Sequence, residues 1–322
     1  MNVENGAAFS LNHKIADSRL KKQLRIYWNN KYLILLALPG LIYFFIFKYV
    51  PMYGLQMAFQ DYSLVLGIKG SPWVGIEHFV NLFNSPDFLQ VFYNTLRISF
   101  LKILFGFPAP ILLALMFNEV RSNGYRKVAQ TITYLPHFFS WVLLGGLVHL
   151  ALSPSAGVVN KLIQMFGGDP IYFLADKNWF VSILVATDIW KEIGWGSIVY
   201  LAAITGINPE VYEAAIVDGA NRFQRILFIT LPGIGSTIAI MLILRMGSVL
   251  EAGFDQIFNL YSPAVYSVAD IIDSYIYRIG IGSFQYSFST AAGLFKSLIG
   301  LTMVLTTNYI SKRVSDGESS LW

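Results

Sequence analysis

Residues Asn208 to Pro232 read NPEVYEAAIVDGANRFQRILFITLP, and this stretch carries its own punctuation. Asn208 is a good helix N-cap and Pro209 suits the first helical position. Glu210 complements the positive end of the helix dipole. The helix runs on through Val217-Asp218 until Gly219, a residue able to take the left-handed backbone angles that close a helix. A second helical stretch starts near Asn221. It places Phe223, Ile226 and Leu227 on one side and leaves Arg222 and Arg225 for water. Leu231-Pro232 ends it. The spacing thus predicts a short, stiff, two-part helical segment over 205–232, set between apolar runs at 179–204 and 233–254.

Working outward, the runs multiply. Further apolar stretches lie at 32–50, 98–118, 128–150 and 291–311. About 20 apolar residues cross the roughly 30 Å hydrocarbon core of a bilayer. The whole chain of 322 residues is 55% hydrophobic and 13% charged, with a mean hydropathy of +0.54. Soluble domains carry about 25% charged residues, so a chain this poor in charge needs lipid as its solvent. The reading is an all-α integral membrane protein with about six transmembrane helices. The run at 32–50 is too long for a signal-peptide core and is read as an uncleaved first span.

Charge orients the bundle. The segment 1–31 carries Lys14, Arg19, Lys21, Lys22, Arg25 and Lys31 against Glu4 and Asp17, which keeps it on the cytoplasmic side. Arg121, Arg126 and Lys127 lie in the short connection after the second run, and Lys312 and Arg313 follow the last one. Six crossings return the tail 312–322 to the inside, and the segment 205–232 falls inside as well. The longer connections at 51–90, 151–178 and 261–288 fall outside.

At 213–232 the sequence resembles the permeases of binding-protein-dependent ABC importers. Glu213-Ala214-Ala215, Gly219, Ile229 and Leu231-Pro232 fill every position of that family's cytoplasmic signature. The resemblance implies a permease fold in which this segment, with Asp218, is a coupling helix docked on an ATPase subunit. It implies a second homologous permease, two cytosolic ATPases and an external solute-binding protein as partners, with ATP and Mg in the ATPases and no cofactor in this chain. Pro51-Met52-Tyr53-Gly54, Ser71-Pro72-Trp73-Val74-Gly75 and the terminal Ser320-Leu321-Trp322 look like the subgroup importing polysaccharide fragments, alginate and pectin-derived oligosaccharides among them. The likeness covers residues 30–322. It implies alternating access in a bacterial cytoplasmic membrane.

The residues exclude much else. There is no phosphate-cradling Gly-x-x-x-x-Gly-Lys motif, so hydrolysis of ATP would lie in other chains. No catalytic constellation is visible. His13, His78, His137 and His149 lack metal-ligand spacing, and no basic patch interleaved with aromatics indicates nucleic acid. Cysteine is absent, which removes disulfides and thiolate chemistry. An ion-coupled secondary transporter would show an inverted repeat, and none is discernible. A membrane scaffold or sensor without a transport path stays open on composition alone.

Ionisable groups inside a bilayer are costly and mark cavities or partners. Asp188, Lys191 and Glu192 share a helical face by their spacing, and Trp190, Trp195 and Tyr200 lie in the same run. With Arg245 they form the expected substrate path, aromatic rings for sugar faces and Arg245 for a uronate. The alternative is that these charges pair with one another or with a partner subunit. Glu251 and Asp255 are expected near the outer interface. Lys48 and Lys102 are expected to snorkel out of the membrane.

Overall fold

A computed structural model of the chain describes residues 28–247 and 249–314, with side chains as far as residue 309. The basic residues expected to anchor the amino-terminal segment, apart from Lys31, lie outside the described residues. So do the tail 315–322 and the side chains of Lys312 and Arg313. Contacts divide the chain into two compact units, ending and starting at Gln56 and Met57.

The first unit holds helix α1 (Lys31–Phe44), which is apolar on every face and has no buried residue. Such a helix suits lipid and not water.

Among the described residues the regular secondary structure of the second unit is helical, save one isolated bridge between Gln60 and Trp73. Its main helices are α2 (Glu77–Asn84), α3 (Pro86–Leu101), α4 (Pro108–Glu119), α5 (Asn123–Tyr134) and α6 (Trp141–Leu152). There follow α7 (Val158–Met165), α8 (Lys177–Thr205), α9 (Pro209–Val217), α10 (Arg222–Arg225) and α11 (Gly235–Gly247). The last are α12 (Phe254–Leu260), α13 (Ile272–Tyr277) and α14 (Tyr286–Val314).

Three helical stretches are long and apolar enough to cross a membrane: Lys31–Phe59, Pro86–Glu119 and Tyr286–Tyr309. Two bent pairs raise the number to five. Helix α8 has the length, 29 residues, but Asp188, Lys191 and Glu192 sit at its centre. It is a spanning-length helix with a polar waist.

Several runs differ from their sequence boundaries; the first continues helically to Phe59 and the last starts at Tyr286. The run expected to start at 98 starts at Pro86, because Ser85 caps the helix by accepting from the Phe88 amide and Pro86 takes the first turn. Between α3 and α4 a π-turn at Lys102–Gly106 absorbs one extra residue. This relieves the clash that Pro108 would make with the carbonyl four residues before it. The run 128–150 is two helices crossing at 107°. Pro136 starts a 3-10 turn, Phe139 is extended, and Ser140 caps α6 by accepting from the Leu143 amide. The run 233–254 ends early: α11 stops at Gly247, and Ala252 and Gly253 both take positive φ, +47° and +90°.

Close packing fixes α8 at the centre. A Cβ on Gly194 would overlap the Thr133 carbonyl of α5, so only glycine permits this crossing. One apolar cluster joins Ile98, Phe180, Leu184, Ile257 and Ile271; another joins Ile111, Ala114, Tyr200, Ile204 and Ile234. Together they clamp α8 along its length.

Candidate functional site: a charged waist and an exposed helical segment

The waist forms where α8 meets the π-turn, α11 and α12. Lys102 is 3% exposed and its Nζ donates to Asp188 Oδ1 at 3.0 Å and to Gln256 Oε1. Gln256 in turn donates to the Leu184 carbonyl and to Thr187 Oγ1, each at 2.7 Å. A buried ammonium is tolerated only when it is paired and hydrogen-bonded, and here a carboxylate and an amide oxygen take two of its three donors. Lys102 therefore does not snorkel. It is held inside by partners 86 and 154 residues away. On the other side of Asp188, Arg245 approaches Oδ2 at 3.6 Å.

Two cavities meet at this waist. One, of about 410 Å³, is lined by Ser99, Lys102, Trp141, Asp188, Arg245, Glu251, Asp255, Asp273 and Lys296, among others. The second, of about 240 Å³, is lined by Phe107, Pro110, Asp188, Glu192, Trp195, Tyr200, Met241 and Arg245 with their neighbours. Glu251 and Asp255 thus border the first cavity, in company with Lys102. Lys296 and Asp273 also face it, joined by bonds of 2.6 and 2.7 Å.

The expected path residues divide accordingly. Asp188, Glu192, Trp195, Tyr200 and Arg245 line cavities. Trp190 is exposed and lines neither. Lys191 lines neither as well. Its Nζ donates to the carbonyls of His137 and Phe139 at 2.7 and 2.8 Å, and it lies over the Trp141 ring at 5.8 Å. Lys191 thereby caps the break between α5 and α6. Beside it His137 pairs with Glu192 at 2.9 Å and stacks flat on Trp195, ring centroids 4.7 Å apart. Sequence reading set Lys102 aside as a snorkelling residue and passed over Trp141, Gln256, Asp273 and Lys296. The available signal was Lys296, a charge inside the last apolar run.

The segment after α8 is built as its punctuation requires. The Asn208 side chain accepts from the Glu210 amide at 3.1 Å and Pro209 opens α9. Gly219, at φ +82°, closes it. The Ala220 amide donates to the Ala215 carbonyl and the Gly219 amide to that of Ile216, satisfying the last turn. Asn221 and Gln224 form a reciprocal capping box around α10. No residue of α9 is buried; Glu213, Ala214 and Asp218 are exposed and Ala215 half-buried. Tyr212 and Thr230 share a hydrogen bond of 2.9 Å that ties α9 to the π-turn Ile226–Thr230 holding Ile229. Leu231 and Pro232 follow, and the chain bends by 60° into α11.

The model for the binding-protein-dependent transport system inner membrane component matches residues 106–316. Protein LplB of Bacillus subtilis (strain 168) is 49% identical over 284 residues, 88% of this chain and 89% of that protein. The polygalacturonan/rhamnogalacturonan transport system permease protein YteP of the same organism is 46% identical over 292 residues, covering 91% and 90%. In the crystal structure of a bacterial ABC transporter involved in the import of the acidic polysaccharide alginate, one chain superposes with a TM-score of 0.85 and 51% identity. The match covers 92% of this chain and 99% of that one. A second structure, of a bacterial alginate ABC transporter with its pentasaccharide-bound periplasmic protein, gives 0.84 and 50%, covering 90% and 97%. The chain therefore belongs to the family of inner membrane components of binding-protein-dependent transport systems.

Proposed function

We propose that this chain is the path-forming subunit of an ATP-driven importer of oligosaccharides derived from acidic polysaccharides. One observation carries the energy coupling: α9 is capped at both ends, unburied, and hydrogen-bonded to the turn that leads into a bent α11. A stiff helix held this way is a lever. In this reading residues 208–232 lie in the cytoplasm with both termini, and an ATPase subunit grips Glu213, Ala214, Ala215 and Asp218. Alanines allow close approach, and the two carboxylates set partner choice through charge. ATP and Mg belong to the partner subunits. A second permease completes the path and an external binding protein delivers the sugar. The acidic-polysaccharide transporters among its relatives support the substrate class.

Coupling through a lever requires that each ligand state bias the same rigid element. The test is Glu213→Lys and Gly219→Val in the assembled complex. Both are expected to lower recovery of the ATPase subunit on co-purification and to abolish ATP-dependent uptake. Normal uptake with normal recovery rejects the lever.

A further inference from the structure

We propose that a cavity between the α4–α5 connection and the segment 208–232 is a binding site for a phosphate group, supplied by the headgroup of an anionic phospholipid. Its place on the cytoplasmic side rests on the importer reading above. The cavity measures about 410 Å³, and small-molecule sites span roughly 300–1,000 Å³. Three arginines line it: Arg121 from the connection, and Arg222 and Arg225 from α10. Its lining holds one carboxylate, Glu119. Among the described residues, none of the three guanidinium groups has an ion pair or a hydrogen-bond partner, and Glu119 pairs with none of them.

Charge decides what the cavity takes. Three arginines against one glutamate leave an excess of positive charge around a small volume. Arg225 is half-buried, so water screens that repulsion less than at an open surface. An anion between the arginines removes it. The fork of a guanidinium matches the oxygens of a phosphate, and each arginine can give it two parallel hydrogen bonds. Neutral donors complete the wall. They are the Asn118 amide and the hydroxyls of Tyr212 and Thr230, which are bonded to each other at 2.9 Å.

Position selects the source of the phosphate. Asn118 and Glu119 end the spanning stretch Pro86–Glu119, and Ile204, in the last turn of α8, lines the cavity beside them. Spanning helices end at the level of the lipid headgroups. Exposed apolar side chains lead to the same place. Leu112 and Met116 are exposed on α4 and stand eight and four residues before Val120, which lines the cavity, so one helical face runs into the site. Phe223 and Phe228 flank Arg225 in sequence and are exposed as well. A soluble phosphate compound gains nothing from these surfaces, whereas an acyl chain lies along them. Basic pockets between spanning helices on the cytoplasmic side hold anionic headgroups in this way. A lipid gripped by Arg121 and by α10 joins the α4–α5 connection to the segment that carries α9.

The experiment uses the complete complex in nanodiscs of phosphatidylcholine with rising fractions of phosphatidylglycerol. Native mass spectrometry counts the phosphatidylglycerol retained, and substrate-stimulated ATP hydrolysis is read in parallel. Arg121→Gln and Arg225→Gln are each expected to raise the fraction needed for half-maximal retention about fivefold, the worth of one basic side chain at an anionic surface. The dependence of hydrolysis on phosphatidylglycerol is expected to shift with it. Lys127→Gln removes an exposed cation of α5 that does not line the cavity, and the midpoint is expected to stay. Equal shifts in Lys127→Gln and Arg121→Gln reduce the effect to surface charge and overturn the site. Inorganic phosphate that replaces the lipid, displacing it and restoring hydrolysis in pure phosphatidylcholine, overturns the lipid as its occupant. Loss of the ATPase subunit from Arg121→Gln in pure phosphatidylcholine makes the cavity a protein contact and overturns the proposal too. Absence of ATP hydrolysis by the wild type at every composition instead overturns the importer reading, and the retention count still decides the site.

Discussion

Lys102 and Lys191 are lysines of apolar stretches with different fates, and neither fate follows from its neighbours in sequence. Lys102 is locked to Asp188 and Gln256, whereas Lys191 spends its donors on two backbone carbonyls where the chain breaks. Lys191→Met would strand the carbonyls of His137 and Phe139. Losing hydrogen bonds to a charged donor costs about 1.5–3 kcal/mol. A clear fall in melting temperature in detergent is expected, with Lys161→Met, at an exposed position, as the control that does not move. Gly194→Ala forces a methyl into the Thr133 carbonyl, whereas a Cβ on Gly146 meets nothing within 4 Å. Overpacking of this kind costs about 1–3 kcal/mol, so the first variant should lose folded yield and the second should not. Gly219 is a different case: space is open around it, and its φ of +82° is what demands glycine. Any other residue there costs about 1–2 kcal/mol of local strain.

At the scale of elements, legibility followed locality. The helix over 209–217 was readable because Asn208, Pro209 and Gly219 act on their nearest backbone groups, with no help from the rest of the fold. The bend in 128–150 was not, because an apolar run reads the same straight or folded at 107°, and the groups that hold the bend come from α8. The start of α3 was missed for another reason. Its first turns are too polar for a hydropathy window, although Ser85-Pro86 carries a cap signal. The connection after α6 has a comparable organiser. Asn160, 1% exposed, donates to the carbonyls of Leu152, Ser153 and Ile171 at 3.0–3.1 Å and accepts from the Ile171 amide at 2.8 Å. Asn160→Asp removes the donor end and keeps the shape. It should loosen residues 153–171, seen as faster amide exchange there, while α9 is unaffected.

For the whole molecule, the decisive question is on which side of the membrane the lever lies. The chain contains no cysteine, so Val217→Cys introduces a single thiol, at a position 87% exposed. A membrane-impermeant maleimide should label it in inside-out vesicles and not in intact cells; the opposite pattern would remove any access for an ATPase. The residue-by-residue match to the transport signature covered α9 and its exit. The waist was only half visible, since Asp188, Glu192 and Arg245 stand out as charges in apolar runs while Gln256 and Asp273 do not.

Composition, hydropathy and helix caps were enough to determine an all-α membrane protein with a stiff polar segment between two late runs. These are local properties: each depends on the solvent a stretch prefers or on groups within one helical turn. The tertiary structure alone decided which charges meet. Lys102 finds Asp188 and Gln256 across 86 and 154 residues because helix crossings, one of them set by the missing side chain of Gly194, bring those surfaces together. Sequence spacing carries no record of that encounter.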